Sequence, residues 1–156
     1  MTHQPTAAGD GRTPPPPIIL FDGVCNLCSA WVRWIVPRDP HGVFRFASLQ
    51  SQAARDAILG ATGGASAHLP DSIVLLDEQG LHTQSDAVLR IVRRLGLPYA
   101  LLAATGIVPR VLRDAVYRIV ASNRYRWFGR RETCLLPAPG IASRFLDAEE
   151  PPPADR

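Results

Sequence analysis

The sequence predicts an α/β fold, with a central mixed sheet of about four strands, flanking helices and additional C-terminal helices. The continuous apolar run Ile18-Ile19-Leu20-Phe21 suits a central strand that is buried on both faces. A helical pattern over residues 25–36 and an alternating segment at 43–47 follow it, and a strand-helix-strand order requires a parallel pair with a helix packed across it. A hairpin with its turn at 77–80 then makes the sheet mixed.

The same patterns predict the remaining helices. Residues 50–59 form a short helix that ends at Gly60. Ser85 is the predicted N-cap of the helix after the hairpin. Residues 99–130 look helical, and Pro109 suits the first position of a helix.

The composition predicts one domain between two loose ends. A chain of 156 residues with 46% hydrophobic and 20% charged residues is typical of one globular domain. Residues 1–17 form a predicted disordered, Pro-rich tail, and 147–156 a loose acidic and Pro-rich one, which leaves residues 18–146 as the domain. The N-terminal residues lack the pattern of a signal peptide and no apolar stretch is long enough to span a membrane, so we expect a cytoplasmic protein.

The cysteines provide the main candidate for chemistry. There are three, Cys25, Cys28 and Cys134, and an odd, low count is not that of a secreted disulfide framework. In a reducing compartment, Cys-x-x-Cys is typical of a catalytic or metal-binding pair. Cys134 is either a third redox thiol or a small buried hydrophobe.

The position of the pair predicts thiol-disulfide exchange. Cys25 opens a helix, and the amide end of a helix stabilises a thiolate, which is the attacking species. We expect Cys25 to be the more exposed cysteine and the nucleophile, and Cys28 to be the thiol that resolves the mixed disulfide. This assignment requires that the two sulfurs lie close together and can be reached by a substrate.

Other uses of the pair stay open. A structural zinc site needs about four ligands, and the remaining Cys and His residues show no paired ligand spacing, which leaves a zinc-stabilised domain as an alternative. Two buried structural cysteines are a further alternative. Ser29 stands where c-type haem attachment requires His. We therefore expect no metal and no cofactor other than a redox-active disulfide between Cys25 and Cys28.

Two neighbours of the pair have two interpretations each. Asp22 either accepts hydrogen bonds from the N–H groups of the turn, or takes up a proton during exchange if burial raises its pKa. Trp34 either packs against the domain or flanks the site as an apolar platform for a substrate peptide.

Three sequence blocks resemble the DCC family of thiol-disulfide oxidoreductases. They are Phe21-Asp22-Gly23-Val24-Cys25-Asn26-Leu27-Cys28, then Asp71-Ser72-Ile73-Val74-Leu75 with Ser85-Asp86-Ala87, then Asn123-Arg124-Tyr125-Arg126-Trp127-Phe128-Gly129-Arg130. The resemblance implies a thioredoxin-like fold, protein-disulfide reductase activity, and the motif roles at Asp22, Cys25 and Cys28. The chain departs from ordinary thioredoxins, because it lacks Trp before the first cysteine and Gly-Pro between the two. The position of the thioredoxin cis-proline falls near Ser72, and Pro70 comes two residues earlier, so these two residues are predicted to contact substrate.

The C-terminal block is rich in arginine and aromatic residues. All 17 basic residues of the chain are arginine, and the net charge is +3. Arg124 and Arg126 are predicted to bind an anionic ligand such as glutathione or an anionic membrane surface, whereas nucleic acid is an unlikely partner. The alternative is a helix end whose aromatic side chains pack on the domain while the arginines are solvated or paired.

Together these features predict a thiol-disulfide oxidoreductase of the protein-disulfide reductase type. Its substrate would be a disulfide-containing protein or a small thiol compound, with a reductant that the sequence does not identify. A non-catalytic interaction module that uses the arginine and aromatic surface is the alternative from another class.

Overall fold

The fold is built on a four-stranded sheet with the strand order β2-β1-β3-β4. The computed structural model describes residues 14–64, 69, 73–132 and 137–149. Strand β1 (Ile18–Phe21) is parallel to β2 (Arg45–Ser48) and antiparallel to β3 (Val74–Asp77), which pairs antiparallel with β4 (Gly80–Thr83). The predicted mixed sheet of four strands is confirmed.

Helices pack on both faces of this sheet. The α-helices are α1 (Asn26–Ile35), α2 (Gln52–Thr62), α3 (Gln84–Arg94) and α4 (Arg110–Phe128), with 3-10 helices at Val36–Arg38, Tyr99–Ile107 and Ala142–Arg144. The order β1-α1-β2-α2-β3-β4-α3 is that of a thioredoxin-like fold, and the 99–107 helix and α4 are additions after it. The predicted fold class is confirmed.

Alternate residues of β1 enter two separate cores. Ile19 and Phe21 lie in a core built with α1 and α3, whereas Leu20 lies in a smaller core that includes Ala54 of α2. Because side chains of a strand alternate between the two faces of the sheet, a strand with a helix on each face must be apolar at every position.

The C-terminal residues of the described chain pack on β2. The ring of Phe145 stacks on Phe46 with 5.2 Å between centroids. The Leu146 N–H donates to the carbonyl of Phe46 at 2.8 Å, and the Asp147 carboxylate accepts the N–H of Ser48 at 2.7 Å. Packed contacts therefore continue to Ala148, two residues beyond the predicted end of the domain.

Two predicted helix ends are wrong. Helix α2 continues through Gly60 to Thr62 and ends at Gly63, whose φ of +62° gives the left-handed conformation that glycine adopts at helix C-termini. Gly60 and Gly63 could each end a helix by the sequence rule. Only Gly63 has the left-handed conformation, and the helix ends there. The N-cap of α3 is Thr83 rather than Ser85.

Ser85 and Pro109 instead mark the join between α3 and α4. Ser85 is buried in the first turn of α3, and its hydroxyl bonds the carboxylate of Asp114 on α4. The predicted helical segment 99–130 is divided, because α4 begins only at Arg110. Pro109 is the N-cap of α4 and lies one position before the helix that it was predicted to open.

Candidate active site

Cys25 and Cys28 share the first turn of α1. Cys25 is the N-cap residue, and its sulfur accepts the backbone N–H of Cys28 at 3.5 Å. Both cysteines are free thiols. Disulfide exchange requires the two cysteines to lie close together. Their shared helical turn meets this requirement.

Both side chains are buried. Cys25 has 0% of its surface exposed and Cys28 has 3%. The prediction that Cys25 is the more exposed cysteine is wrong. The reason is tertiary, because a segment from the far end of the chain lies over the start of α1.

Residues 128–131, which we call the covering segment, run antiparallel to the chain around Cys25. Arg130 forms a β-bridge with Cys25, and the N–H of Arg131 donates to the carbonyl of Val24 at 2.7 Å. The side-chain amide of Asn26 donates to the carbonyl of Phe128 at 2.9 Å and accepts from Nε of Arg131 at 2.9 Å. These bonds hold the covering segment against the chain from Val24 to Asn26, at the start of α1.

Gly129 allows this close approach. Its φ is +82°, and a Cβ placed there would lie 3.0 Å from Nδ2 of Asn26. A residue with a side chain would be strained by its backbone and would crowd the amide that binds the covering segment. The block that ends in Gly129-Arg130 thus closes the helix start that carries the cysteines.

Asp22 lies beneath the pair in a buried hydrogen-bond network. Only 1% of its surface is exposed. Its carboxylate accepts hydrogen bonds from Val24 N–H (3.2 Å), Gln50 Nε2 (3.0 Å), Arg124 Nη2 (3.3 Å) and the hydroxyl of Tyr125. The bond from Val24 is the turn contact that the sequence predicted for Asp22.

The charged partner of Asp22 is Arg124, which stands 102 positions later in the chain. Arg124 has 7% of its surface exposed, and its other bonds run to the carbonyl of Ala121 and the hydroxyl of Tyr125. Removing one member of a buried ion pair leaves an uncompensated charge, so each residue depends on the other. Arg126, by contrast, is exposed, so the two arginines predicted to bind an anion together lie in different environments.

Sequence reasoning missed this network. Gln50 and Tyr125 lie 28 and 103 positions from Asp22, so no local pattern connects them. One signal was present in the sequence, because an aspartate that follows a buried strand has to find a cation or several N–H donors if it is itself buried.

Burial sets the protonation of Cys28. Burial, the nearby charge and hydrogen bond of Cys25, and the charge of Asp22 together raise the pKa of Cys28 to about 12. Burial and the hydrogen bond to Asp22 also raise the pKa of Tyr125 above its ordinary value. Cys28 is therefore a protonated thiol at neutral pH.

The two tryptophans of α1 have different surroundings. Trp34 packs edge-on against Tyr99 with centroids 5.3 Å apart, and the guanidinium of Arg38 lies 4.4 Å from its ring centre. Trp31 instead contributes to the wall of a cavity of about 440 Å³, which also contains Cys28 and Arg124. Trp31 therefore shares a cavity wall with Cys28, and Trp34 packs against the domain, which is one of the two interpretations given for it.

Other predicted positions lie outside the described residues. These are Pro70 and Ser72, the predicted substrate contacts, and Cys134. Within the described ranges, no group of three or more His, Cys, Asp or Glu residues is placed to hold a metal ion. None of the described helices is both long and apolar enough to cross a membrane.

The pairing of Arg124 with Asp22 predicts a large loss of stability in Arg124→Met. The variant leaves the carboxylate buried without its cation, which costs roughly 3–5 kcal/mol. Urea denaturation followed by circular dichroism measures this loss. Arg118→Met is the matched control, because Arg118 is exposed on the same helix and should change stability by less than about 0.5 kcal/mol. Equal effects of the two substitutions would contradict the assignment.

The protonation of Cys28 predicts an unusual pH dependence of its alkylation. Since only the thiolate reacts, the rate with iodoacetamide should rise about tenfold per pH unit and approach its plateau only near the pKa of about 12. In the Cys25→Ser variant the pKa of Cys28 should be lower, because the charge of Cys25 is removed, yet still raised by burial. Mass spectrometry of the Cys28 peptide reports the rate, and a plateau near pH 9 would contradict the prediction.

Comparison with known proteins agrees with this geometry. The family model described as DCC1-like thiol-disulfide oxidoreductase matches residues 19–130. The chain is 40% identical over 129 residues to the uncharacterized protein YuxK of Bacillus subtilis, an alignment that covers 83% of this chain and 93% of that protein. It is also 40% identical over 124 residues to a chloroplastic DCC family protein of Arabidopsis thaliana, which covers 77% of this chain and 69% of that protein. No solved structure matches the chain significantly.

The matched region contains the site described above except for Arg131, the last residue of the covering segment. It begins in β1, includes Asp22 and both cysteines, and ends at Arg130 in the covering segment. By this match and by the two relatives, the chain belongs to the DCC1-like thiol-disulfide oxidoreductase family.

Proposed function

We propose that the protein catalyses thiol-disulfide exchange as a protein-disulfide reductase, with Cys25 and Cys28 as its redox pair. The observation that carries the proposal is the shared first turn of α1, in which the N–H of Cys28 points at the sulfur of Cys25 at 3.5 Å. In this proposal the sulfur of Cys25 attacks the substrate, and the raised pKa keeps Cys28 protonated until the second step.

The exchange takes two steps. The Cys25 thiolate attacks one sulfur of the substrate disulfide, which forms a mixed disulfide and releases the other sulfur as a thiolate that takes a proton from water. Cys28 then loses its proton and attacks the Cys25 sulfur, which releases the second substrate thiol and leaves a disulfide between Cys25 and Cys28. An external thiol reductant returns this disulfide to the dithiol, so the redox centre needs no further cofactor.

The covering segment controls access in this proposal. Cys25 is completely buried in the described state, so a protein disulfide reaches it only when residues 128–131 move away from the start of α1. The segment is held by a few hydrogen bonds at the protein surface, and such local openings cost far less than global unfolding. Closure shields the sulfur of Cys25 from solvent between reactions.

Asp22 acts mainly as a positioning residue. Its carboxylate binds both the turn before Cys25 and Arg124 at the end of α4, so it aligns the helix start with the segment that closes over it. Its other predicted task, accepting the proton of Cys28, predicts a different result for Asp22→Asn. If Asp22 accepts the proton, the pH profile of the second step should shift in Asp22→Asn. If Asp22 only positions the site, the rate of the second step should change equally at every pH.

The substrate class and location are part of the proposal. We propose a disulfide-containing protein or a small disulfide as the substrate. A cytoplasmic location is proposed because three cysteines are not the pattern of a secreted disulfide framework. Arg126 on the exposed side of α4 stays available to an anionic partner or membrane surface, whereas Arg124 is engaged by Asp22.

One observation favours the interaction module as a second candidate. Apolar side chains on α4 are exposed, among them Val111, Ile119 and Trp127, and such clustering is typical of binding surfaces. Titration of the Cys25 thiol separates the two candidates. An ordinary thiol with slow exchange would favour the module, and a thiolate at neutral pH with fast exchange would favour the enzyme.

Loosening the covering segment should make Cys25 more reactive. Asn26→Ala removes two hydrogen bonds to the segment, each worth about 0.5–1.5 kcal/mol, so the open population and the alkylation rate of Cys25 should rise about tenfold or more. The matched control is Asn123→Ala, since among the residues that the structure describes the amide of Asn123 bonds only within α4. An unchanged rate in Asn26→Ala would show that access does not depend on this segment.

The two cysteine variants should fail in different ways. Cys25→Ser is expected to reduce insulin disulfides at the uncatalysed rate, because the attacking sulfur is absent. Cys28→Ser should accumulate mixed disulfides with its substrate, which mass spectrometry detects. The measured reduction potential of the wild-type pair then tells whether it can reduce its targets in the cytosol. Full turnover by Cys25→Ser would remove the enzymatic interpretation.

A further inference from the structure

Large apolar side chains are exposed where the 99–107 helix ends and along the first half of α4. Together they form what we call the apolar ridge, which consists of Ile107, Val108, Val111, Leu112, Val116 and Ile119. Each is more than one-third exposed, and the exposed fractions of Ile107 and Val111 are 90% and 75%. Side chains this exposed contribute little to the packing of the domain, and a contiguous patch of them typically marks a binding surface.

The spacing of these residues makes the apolar ridge one continuous surface. Leu112, Val116 and Ile119 follow one another at intervals of four and three residues, which is the repeat of one side of an α-helix. The chain that enters α4 is fixed to its first turn, because Nε of Arg113 donates to the carbonyl of Val108 at 3.0 Å. The apolar ridge therefore extends from the entering chain onto α4.

The only acidic residue in this part of the sequence is already engaged. Residues 97–131 contain seven arginines and one acidic residue, Asp114. The carboxylate of Asp114 accepts hydrogen bonds from the hydroxyl of Ser85 and from Nε of Arg110, the latter at 3.3 Å. It therefore does not offset the remaining arginines of α4.

Two of these arginines lie beside the apolar ridge. Arg118 precedes Ile119, and Arg126 follows Ile119 by seven residues, which is about two turns of the same helix. Both arginines are exposed, and within the part of the chain that the structure describes neither forms an ion pair. The surface thus combines apolar side chains with uncompensated positive charge.

These features determine the kind of partner. The surface is convex at Ile107 and Val111, since a groove would shield side chains that are this exposed. A symmetric pair of copies would bring arginine against arginine, because each copy would present the same surface. The interface of an anionic phospholipid bilayer is broad and deformable, and it offers acyl chains to the apolar side chains and phosphates to the guanidinium groups.

We propose that the apolar ridge docks on the surface of an anionic phospholipid membrane. The side chains of Ile107, Val111 and Leu112 insert at the boundary between head groups and acyl chains, while Arg118 and Arg126 bind lipid phosphates. This docking selects the membrane from the two partners that the proposed function left open for Arg126. It does not depend on the exchange reaction.

Sedimentation of the full chain with lipid vesicles tests the proposal. Vesicles of phosphatidylcholine with about one-third phosphatidylglycerol should bind the protein at least about tenfold more tightly than vesicles of phosphatidylcholine alone. Salt at about 1 M should weaken this binding, because it screens the charges. Cys25→Ser should bind the vesicles as the wild type does, so a failure of the exchange chemistry leaves this result unaffected.

Substitution of the two most exposed side chains of the apolar ridge tests their insertion. Ile107→Ser combined with Val111→Ser should weaken binding to the anionic vesicles about tenfold or more, because less apolar area is removed from water. Circular dichroism checks that this double variant is folded. Leu59→Ser is the matched control and should bind as the wild type, since Leu59 is 48% exposed on α2, which packs on the other face of the sheet.

Substitution of the arginines tests the contact with the head groups. Arg118→Gln and Arg126→Gln should each weaken binding to the anionic vesicles about fivefold. Arg55→Gln removes the same charge from an exposed position on α2 and should bind as the wild type.

Four results would overturn the proposal. They are an absence of vesicle binding, equal binding to anionic and neutral vesicles, and equal effects of the ridge variants and their controls. The fourth is a dimer of the wild type in analytical ultracentrifugation that Ile107→Ser with Val111→Ser abolishes, because the apolar ridge would then bind a second copy of the chain.

Discussion

The buried ion pair between Asp22 and Arg124 is the constraint on which the site depends. Asp22 follows β1 directly, and Arg124 lies near the end of the helix added after the thioredoxin-like core. Because neither charge can be buried without the other, the end of α4 is held against the turn that precedes α1. The ion pair thus fixes α4 to the turn that precedes the cysteine motif.

The environment of the cysteines follows from this attachment. With α4 held in place, the chain that leaves it passes over Cys25 and bonds both Val24 and Asn26. The sulfur of Cys25 is thereby removed from solvent, and the neighbouring charges and burial keep Cys28 protonated. The cysteines are buried while the covering segment is in place. In the proposed reaction, residues 128–131 must open locally before a protein disulfide reaches Cys25.

The same attachment explains the cavity. Helix α4 is held at its C-terminal end by Arg124 and joined to α3 by the bond between Ser85 and Asp114. Between these two points its apolar side chains do not close against α1 and α3, and the wall of the space that remains includes Cys28.

The sequence by itself determined the elements of the core and the position of the cysteines. The apolar run of β1, the helical pattern after it and the hairpin glycine are local signals, because they arise from side-chain alternation and backbone preference over a few residues. They were sufficient for a four-stranded mixed sheet and for Cys25 and Cys28 in the first turn of α1. The two wrong helix ends were local errors as well. Gly63 satisfies the same C-terminal rule as Gly60, and Thr83 satisfies the same N-cap rule as Ser85.

Only the tertiary structure decided whether the cysteines are exposed and which groups surround them. The contacts of Asp22 with Arg124 and of Asn26 with Phe128 each join residues 102 positions apart, and no periodicity extends that far. Burial of Cys25 and protonation of Cys28 depend on which distant side chains meet in space. That outcome is set by the packing of α4 on the whole domain, which no segment of the sequence encodes alone.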